Sequence, residues 1–249
     1  SEQISYADAA VIIQNVFESR SYLRSLGNDK KGEILEDDND EEYMSYKLNI
    51  YRYTGVVEAY GETSIAGSYE TYPENVVKIG GELLEDGGID FSEYIGMLVK
   101  VYYKTDDKGG YTALHVAYDS KTDVIDIKDE DIAENTTKKQ VVYYDGKKQK
   151  SVTISDDASF IYNGKRLDVA ANSDLLVTNG SLRLISNTGK QPYTVVIINS
   201  YDTFIVNKAM AADCAITAKY DRGTFDFDDD FLTTYYLDGE ETDFSSITS

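Results

Sequence analysis

Apolar residues near the start of the chain recur at spacings of three and four. Ala9, Ile12, Ile13, Val16, Phe17 and Leu23 form one stripe, which predicts an amphipathic helix. Ser5 followed by Asp8 resembles a capping box with Asp in the usual Glu position, and Gly27 offers a stop just past Leu26. One such helix cannot bury its stripe alone, so it must pack on a neighbouring domain or on residues outside this chain. From Tyr43 the period falls to two. Tyr46, Leu48 and Ile50 alternate with Lys47 and Asn49, and the parity shifts at Tyr51 and Tyr53; this predicts a strand bulged between Arg52 and Gly55. Met97, Val99, Val101 and Tyr103 alternate with Leu98, Lys100, Tyr102 and Lys104. Asp106-Asp107-Lys108-Gly109-Gly110 then turns the chain into a second strand through Leu114, Val116 and Tyr118. Further strands are predicted at 140–144, 151–154, 159–162, 181–185, 193–199 and 203–206. Asp145-Gly146, Asn163-Gly164 and Asp238-Gly239 suit the positive φ of two-residue hairpin turns.

Strands this short and this frequent predict a mainly β chain of tandem small barrel- or sandwich-like modules behind a short N-terminal helical segment. A weak internal repeat supports the division. Lys78–Leu83 leads to Asp90–Gly96, Ile161–Asp168 leads to Ser173–Leu176, and Tyr236–Glu241 leads to Asp243–Ile247. Each copy reads as a strand, a turn ending in Gly, a short strand and a half-turn of helix, with turn glycines at 81, 164 and 239. Chance recurrence of hairpins is the alternative. The expected boundaries are 1–45 for the helix and an acidic loop, 46–128 and 129–207 for two β modules, and 208–249 for the opening of a third. Because the third copy ends before its next strand, the chain is expected to be a piece of a longer modular protein.

Charge narrows the partners. Asp and Glu number 45 against 24 Lys and Arg, a net charge of −21. That field repels phosphate backbones and anionic headgroups, so no nucleic-acid partner is expected. No stretch approaches the ~20 apolar residues of a membrane span, so none is expected to insert. The N-terminus lacks the basic start and apolar core of a signal peptide; for an exported protein, that signal was removed or lies outside this chain. Among the aromatics, 22 are Tyr, 8 are Phe and none is Trp, which suits half-exposed strands whose rings keep a wet hydroxyl.

The strings Tyr53–Ala59, Tyr94–Lys104, Phe160–Lys165 and Val195–Val206 resemble β modules of Gram-positive (Firmicutes) cell-surface proteins that carry S-layer homology domains. Ile4–Ile12 is similar to the helix of such a domain, with Tyr6 where that family's pattern has Arg or a similar residue, and the first segment would then be the end of such a domain. The resemblance covers residues 45–249 and carries no catalytic residue across. It implies a non-enzymatic structural or interaction segment of an S-layer-like protein, extracellular at the cell surface. Its partners would be copies of itself, other surface proteins and cell-wall polysaccharide. Two other readings stand beside it: a structural protein of a phage virion (tail, fibre or decoration), and a carbohydrate-binding accessory module of a wall- or polysaccharide-active enzyme.

Candidate chemistry is thin. His115 is the only histidine and is expected to face solvent with Tyr111, Ala113 and Ala117; Cys214, the only cysteine, lies among small apolar residues beside Asp213 and reads as a buried free thiol. Neither has a nucleophile or base at local spacing, so no catalytic residue and no cofactor-binding residue is assigned. Asp37–Glu42 is either a solvated acidic loop or a calcium loop, and it lacks the central Gly and terminal Glu of the latter. Asp226, Asp228 and Asp230 project to one side of an extended segment. They are either an exposed acidic turn or a site for weakly bound Ca2+, and no metal ligand is assigned. Tyr51, Tyr53, Tyr102 and Tyr103 are the candidates for a sugar-stacking patch in place of Trp.

Overall fold

The N-terminal stripe forms a helix shorter than its spacing predicts. In the computed structural model, which describes residues 6–19, 22–25, 33–36, 42–66, 72–106, 109–201, 205–220, 223–227, 235–237 and 240–246, helix α1 is Tyr6–Phe17. Leu23 lies instead on strand β1 (Tyr22–Ser25), antiparallel to β2 (Glu33–Glu36) with Leu23 opposite Leu35. The stretch expected to be a loop throughout thus contains a strand, because cross-strand pairing is a non-local term that local periodicity does not register. Asp37–Glu41 lies outside the described residues. Val11, Ile12, Ile13 and Val16 stay 50–55% exposed.

The period-two reading at Tyr43 is corrected as well. Tyr43–Leu48 is a helix, α2, which buries Met44 and stops at left-handed Asn49 (φ 52°), whose N–H bonds back to the carbonyl of Ser45. The parity shift at Tyr51 therefore marks the passage from helix to strand. The bulge in β3 (Ile50–Tyr60) falls later, at Glu58, where the register with its neighbour skips between Val57 and Ala59.

The chain divides into two compact units. The first takes Ser1–Gly61, Tyr72–Tyr94 and Leu98–Asp119; the second takes Glu62–Thr71, Ile95–Met97 and Ser120–Ser249. After β3 comes the two-residue strand β4 (Thr63–Ser64), which counts with the second unit. The first unit continues with β5 (Val76–Ile79), β6 (Glu82–Glu85), β7 (Leu98–Thr105) and β8 (Tyr111–Tyr118). β3 pairs with β5 and β5 with β6, both antiparallel. β6 meets β8 in parallel at Glu85 and Thr112, and β8 pairs with β7, which returns to β3. The ring closes in the order first, second, third, fifth, fourth, with one parallel step between the third and fifth strands. Val57, Val77, Ile79, Val99, Val101 and Phe91 fill its core with no exposed surface. The hairpin predicted through Asp106–Gly110 is present, but its second strand does not alternate simply. Tyr102 faces His115 and Tyr103 faces Ala113, so Leu114 is an extra, bulged residue. Ala113 and Val116 are consequently both buried, whereas Leu114 and Tyr118 are exposed.

In the second unit, β9 (Asp123–Lys128), β10 (Gln140–Asp145), β11 (Lys148–Tyr162), β12 (Lys165–Leu167), β13 (Gly180–Ser186) and β14 (Tyr193–Ser200) pair in the order β10-β11-β14-β13-β9, with β12 appended to β11. Numbered from β9, and leaving out β12, that is second, third, fifth, fourth, first, with the third and fifth strands again parallel. Among the described residues, the bridge between Ile132 and Tyr143 is the only pairing across the remaining gap. Val141, Leu175, Leu182, Leu184, Val196 and Ile198 form the core. The separate strands predicted at 151–154 and 159–162 are one strand with a register shift between Ile154 and Ser159. β9 lies inside the 46–128 stretch but pairs with β13, and the first unit ends at Asp119. A sheet of β15 (Val206–Met210), β16 (Ala215–Ala218) and β17 (Thr224–Asp226), and a hairpin of β18 (Tyr235–Leu237) and β19 (Glu240–Thr242), complete the second unit. Thr203 and Phe204, in the last predicted strand, lie outside the described residues.

The repeated motif exists as local structure. Hairpins β5–β6, β11–β12 and β18–β19 are each followed by a 3-10 turn, at Ser92–Tyr94, Asn172–Leu175 and Phe244–Ser246. Their roles differ. Gly80-Gly81 joins the second and third strands of the first ring, whereas Asn163-Gly164 leads from the third strand of the second unit to an accessory strand.

A tyrosine-lined cleft as candidate functional site

The register between β3 and β7 sets Tyr51 opposite Tyr103 and Tyr53 opposite Val101. Val101 is a core residue, so these tyrosines share the inward face near one end of the ring. Pairing of Thr105 with Tyr111 brings a fourth ring to the same end. Tyr51 and Tyr103 are tilted by 30° with centroids 5.7 Å apart, and Tyr103 and Tyr111 meet edge to face at 5.3 Å and 79°. Tyr53, Tyr103 and Tyr111, with Leu84 and Glu82, line a cleft of about 230 Å³. Leu84 is buried and Glu82 exposed, so the cleft has an apolar floor and an acidic rim.

The backbone makes room for this arrangement. The Tyr53 hydroxyl donates to the Gly80 carbonyl at 2.9 Å. Gly80 sits at φ +55°, and a Cβ there would come within 2.5 Å of that hydroxyl. The Tyr103 phenol is held above its ordinary pKa, first by burial and then by the neighbouring Tyr111, Tyr51, Glu82 and Tyr53. It remains a neutral hydrogen-bonding group.

Tyr102 belongs to a different cluster. The pleat turns it to the other face of β7, where its hydroxyl donates to Glu18 at 2.6 Å and its ring lies 5.9 Å from that of His115. Glu18, just past α1, also accepts from Gln14 at 3.0 Å and from Arg52 at 2.7 Å, and Lys100 stands 3.7 Å away. Arg52 reaches Glu42 with its second nitrogen. Burial pushes the Glu18 carboxyl up, but the hydrogen bonds from Tyr102 and Gln14 and the charges of Arg52 and Lys100 outweigh it and hold the group below its ordinary value. The Tyr102 phenol is pushed up to about 12, by burial first and by Glu18 next. This network ties the end of α1 and the start of α2 to the ring.

Of the four tyrosines proposed from sequence, the structure brings Tyr51, Tyr53 and Tyr103 together and separates Tyr102. Tyr111, Glu82 and Leu84 were missed. Pairing across the predicted 98–118 hairpin is the one signal that pointed to Tyr111. His115 is exposed, but the bulge at Leu114 removes it from the face of Ala113. Cys214 is half-buried instead of buried: it adopts a left-handed conformation (φ 46°) after a 3-10 turn, and its Sγ lies 3.5 Å from the Tyr235 hydroxyl. Asp226 ends β17, and Asp228, Asp229 and Asp230 lie outside the described residues. Among the described residues, no group of three His, Cys, Asp or Glu is placed to hold a metal ion, and no helix is long and apolar enough to cross a membrane. Comparison with family models, curated proteins and solved structures finds no match to this chain.

Proposed function

We propose that the chain is a non-enzymatic interaction segment of an extracellular, S-layer-like bacterial surface protein, and that the first unit holds a saccharide of the cell-wall polymer in its tyrosine-lined cleft. The observation that carries this reading is the cleft itself: Tyr53, Tyr103 and Tyr111 over Leu84, with Glu82 at the rim. Aromatic faces with a few polar groups around an apolar floor form a binding surface. Among its described lining residues the single acid, Glu82, has no second carboxylate or base to work with, as bond cleavage would need. Mouths of β-barrels are favoured positions for such sites. A net charge of −21 suits a soluble, crowded surface array, and the resemblance of residues 45–249 to Gram-positive surface modules supports an extracellular location.

Retention of the purified protein on insoluble Gram-positive wall polysaccharide tests the reading. Tyr103→Ala and Tyr111→Ala lose retention with unchanged circular dichroism, while Tyr102→Phe, on the opposite face, keeps it. Equal retention of wild type and both alanine variants would overturn the assignment of the cleft.

A further inference from the structure

The shape and charge of the cleft narrow what it recognises. A sugar ring stacks on a flat platform, and the nearest approach to one here is the tilted pair Tyr51 and Tyr103. Tyr103 and Tyr111 instead make a corner, at 79°, and Tyr53 lines the same space with its hydroxyl already committed to the Gly80 carbonyl. A corner of rings offers little parallel area to a flat ligand but several π faces to a compact cation. The volume of about 230 Å³ lies under the roughly 300–1,000 Å³ of sites that enclose drug-sized molecules, which suits a small head group. Glu82 is the only charged residue among the described residues lining the cleft, and the net charge of −21 raises the local concentration of cations.

We propose that the cleft is an aromatic cage for an alkylammonium group, with Tyr53, Tyr103 and Tyr111 as its walls and Glu82 as the counter-charge at its rim. This deepens the binding reading above, on which it rests: the recognised part of the wall polymer is an ammonium substituent. Such a group is quaternary on a choline-type substituent and primary on an amino sugar whose nitrogen is not acetylated.

Calorimetric titration of the whole chain with choline chloride, glucosamine hydrochloride and N-acetylglucosamine, at low and high salt, tests it. The two cations bind saturably and more weakly as salt rises, and the neutral sugar binds at least about tenfold more weakly. The stronger of the two cations identifies the source. Tyr111→Ala, at a partly exposed position, lowers the affinity about tenfold or more, and Glu82→Gln lowers it severalfold and flattens the salt dependence. Equal binding of glucosamine and N-acetylglucosamine overturns the cage and leaves the saccharide reading standing. Cation binding without retention on wall polysaccharide does the reverse. No saturable cation binding, or cation binding unchanged by Tyr111→Ala, overturns the proposal.

Discussion

Replacing Arg52 by Ala should loosen the N-terminal helix and destabilise the first unit. Among the described side chains of helix α1, Val11, Ile12, Ile13 and Val16 remain half exposed, so polar contacts at its end contribute to holding it. Arg52 donates to Glu18 at 2.7 Å and also reaches Glu42, and the three side chains are 28%, 20% and 27% exposed. Hydrogen bonds to charged groups contribute about 1.5–3 kcal/mol when buried, and exposed ion pairs about 0–1. Contacts a quarter exposed fall between these limits, at about 1 kcal/mol each, so the variant loses about 2 kcal/mol. That lowers the midpoint by about 4–8 °C if the chain melts as one, and by about twice that if the first unit melts alone. Circular dichroism melts give the midpoint, and amide hydrogen exchange over Tyr6–Phe17 should lose protection in step. Because Glu18 has a lowered folded pKa, its contribution is present above the unfolded value of 4.5 and disappears as pH falls through the folded one. Wild type and Arg52→Ala should therefore converge in acid. A variant that melts within a degree of wild type at neutral pH, with α1 still protected, would refute the reasoning.

Alkali should act in the opposite direction. Tyr60, half-buried and donating to Asp86 at 2.8 Å, and Tyr102 are both raised from an ordinary 10 to about 12. Their contribution is complete below pH 10 and lost as pH rises through 12, so wild type should lose stability over that window more steeply than Tyr60→Phe in pH-dependent urea melts. Asn163→Ala should cost about 2 kcal/mol in urea unfolding: it removes the side-chain pair with the Ser200 N–H and carbonyl, both at 2.9 Å, and places Ala at φ 44°. An unchanged urea midpoint would show that the Asn163-Gly164 turn does not pin the end of β14.

Local signals were legible at several of the tight turns. The 98–118 hairpin and the Asn163-Gly164 turn both stand where the residue pattern placed them. What stayed hidden was set by partners far along the chain. Leu23 belongs to a helical stripe by spacing and to a strand by its pairing with Leu35. Residues 46–50 alternate as a strand should, yet burying Met44 and capping at Asn49 make a turn and a half of helix the better local solution. β9 sits among residues that read as the end of one module, and only its pairing with β13 assigns it to the second unit. The repeat shows the same division. Its hairpins and 3-10 turns were readable in sequence, but whether a hairpin joins two ring strands or appends an accessory one depends on β8 and β14, which come later in the chain.

Tyr102 and Tyr103 carry this point down to single residues. They are adjacent, chemically identical and both half-buried, and composition supplies no reason to separate them. The pleat separates them completely: Tyr102 donates to Glu18 on the outer face, and Tyr103 turns inward to Tyr51 and Tyr111. The bulge at Leu114 matters as much. With it, Tyr103 stands opposite Ala113, whose small side chain leaves the inward face open, and Tyr102 stands opposite His115. Without it, Tyr103 would stand opposite Leu114, and a larger side chain would occupy the space into which Tyr103 and Tyr111 now converge. The cleft is therefore a product of one extra residue in one strand, which sets Tyr103 opposite Ala113 and Tyr111 opposite Thr105.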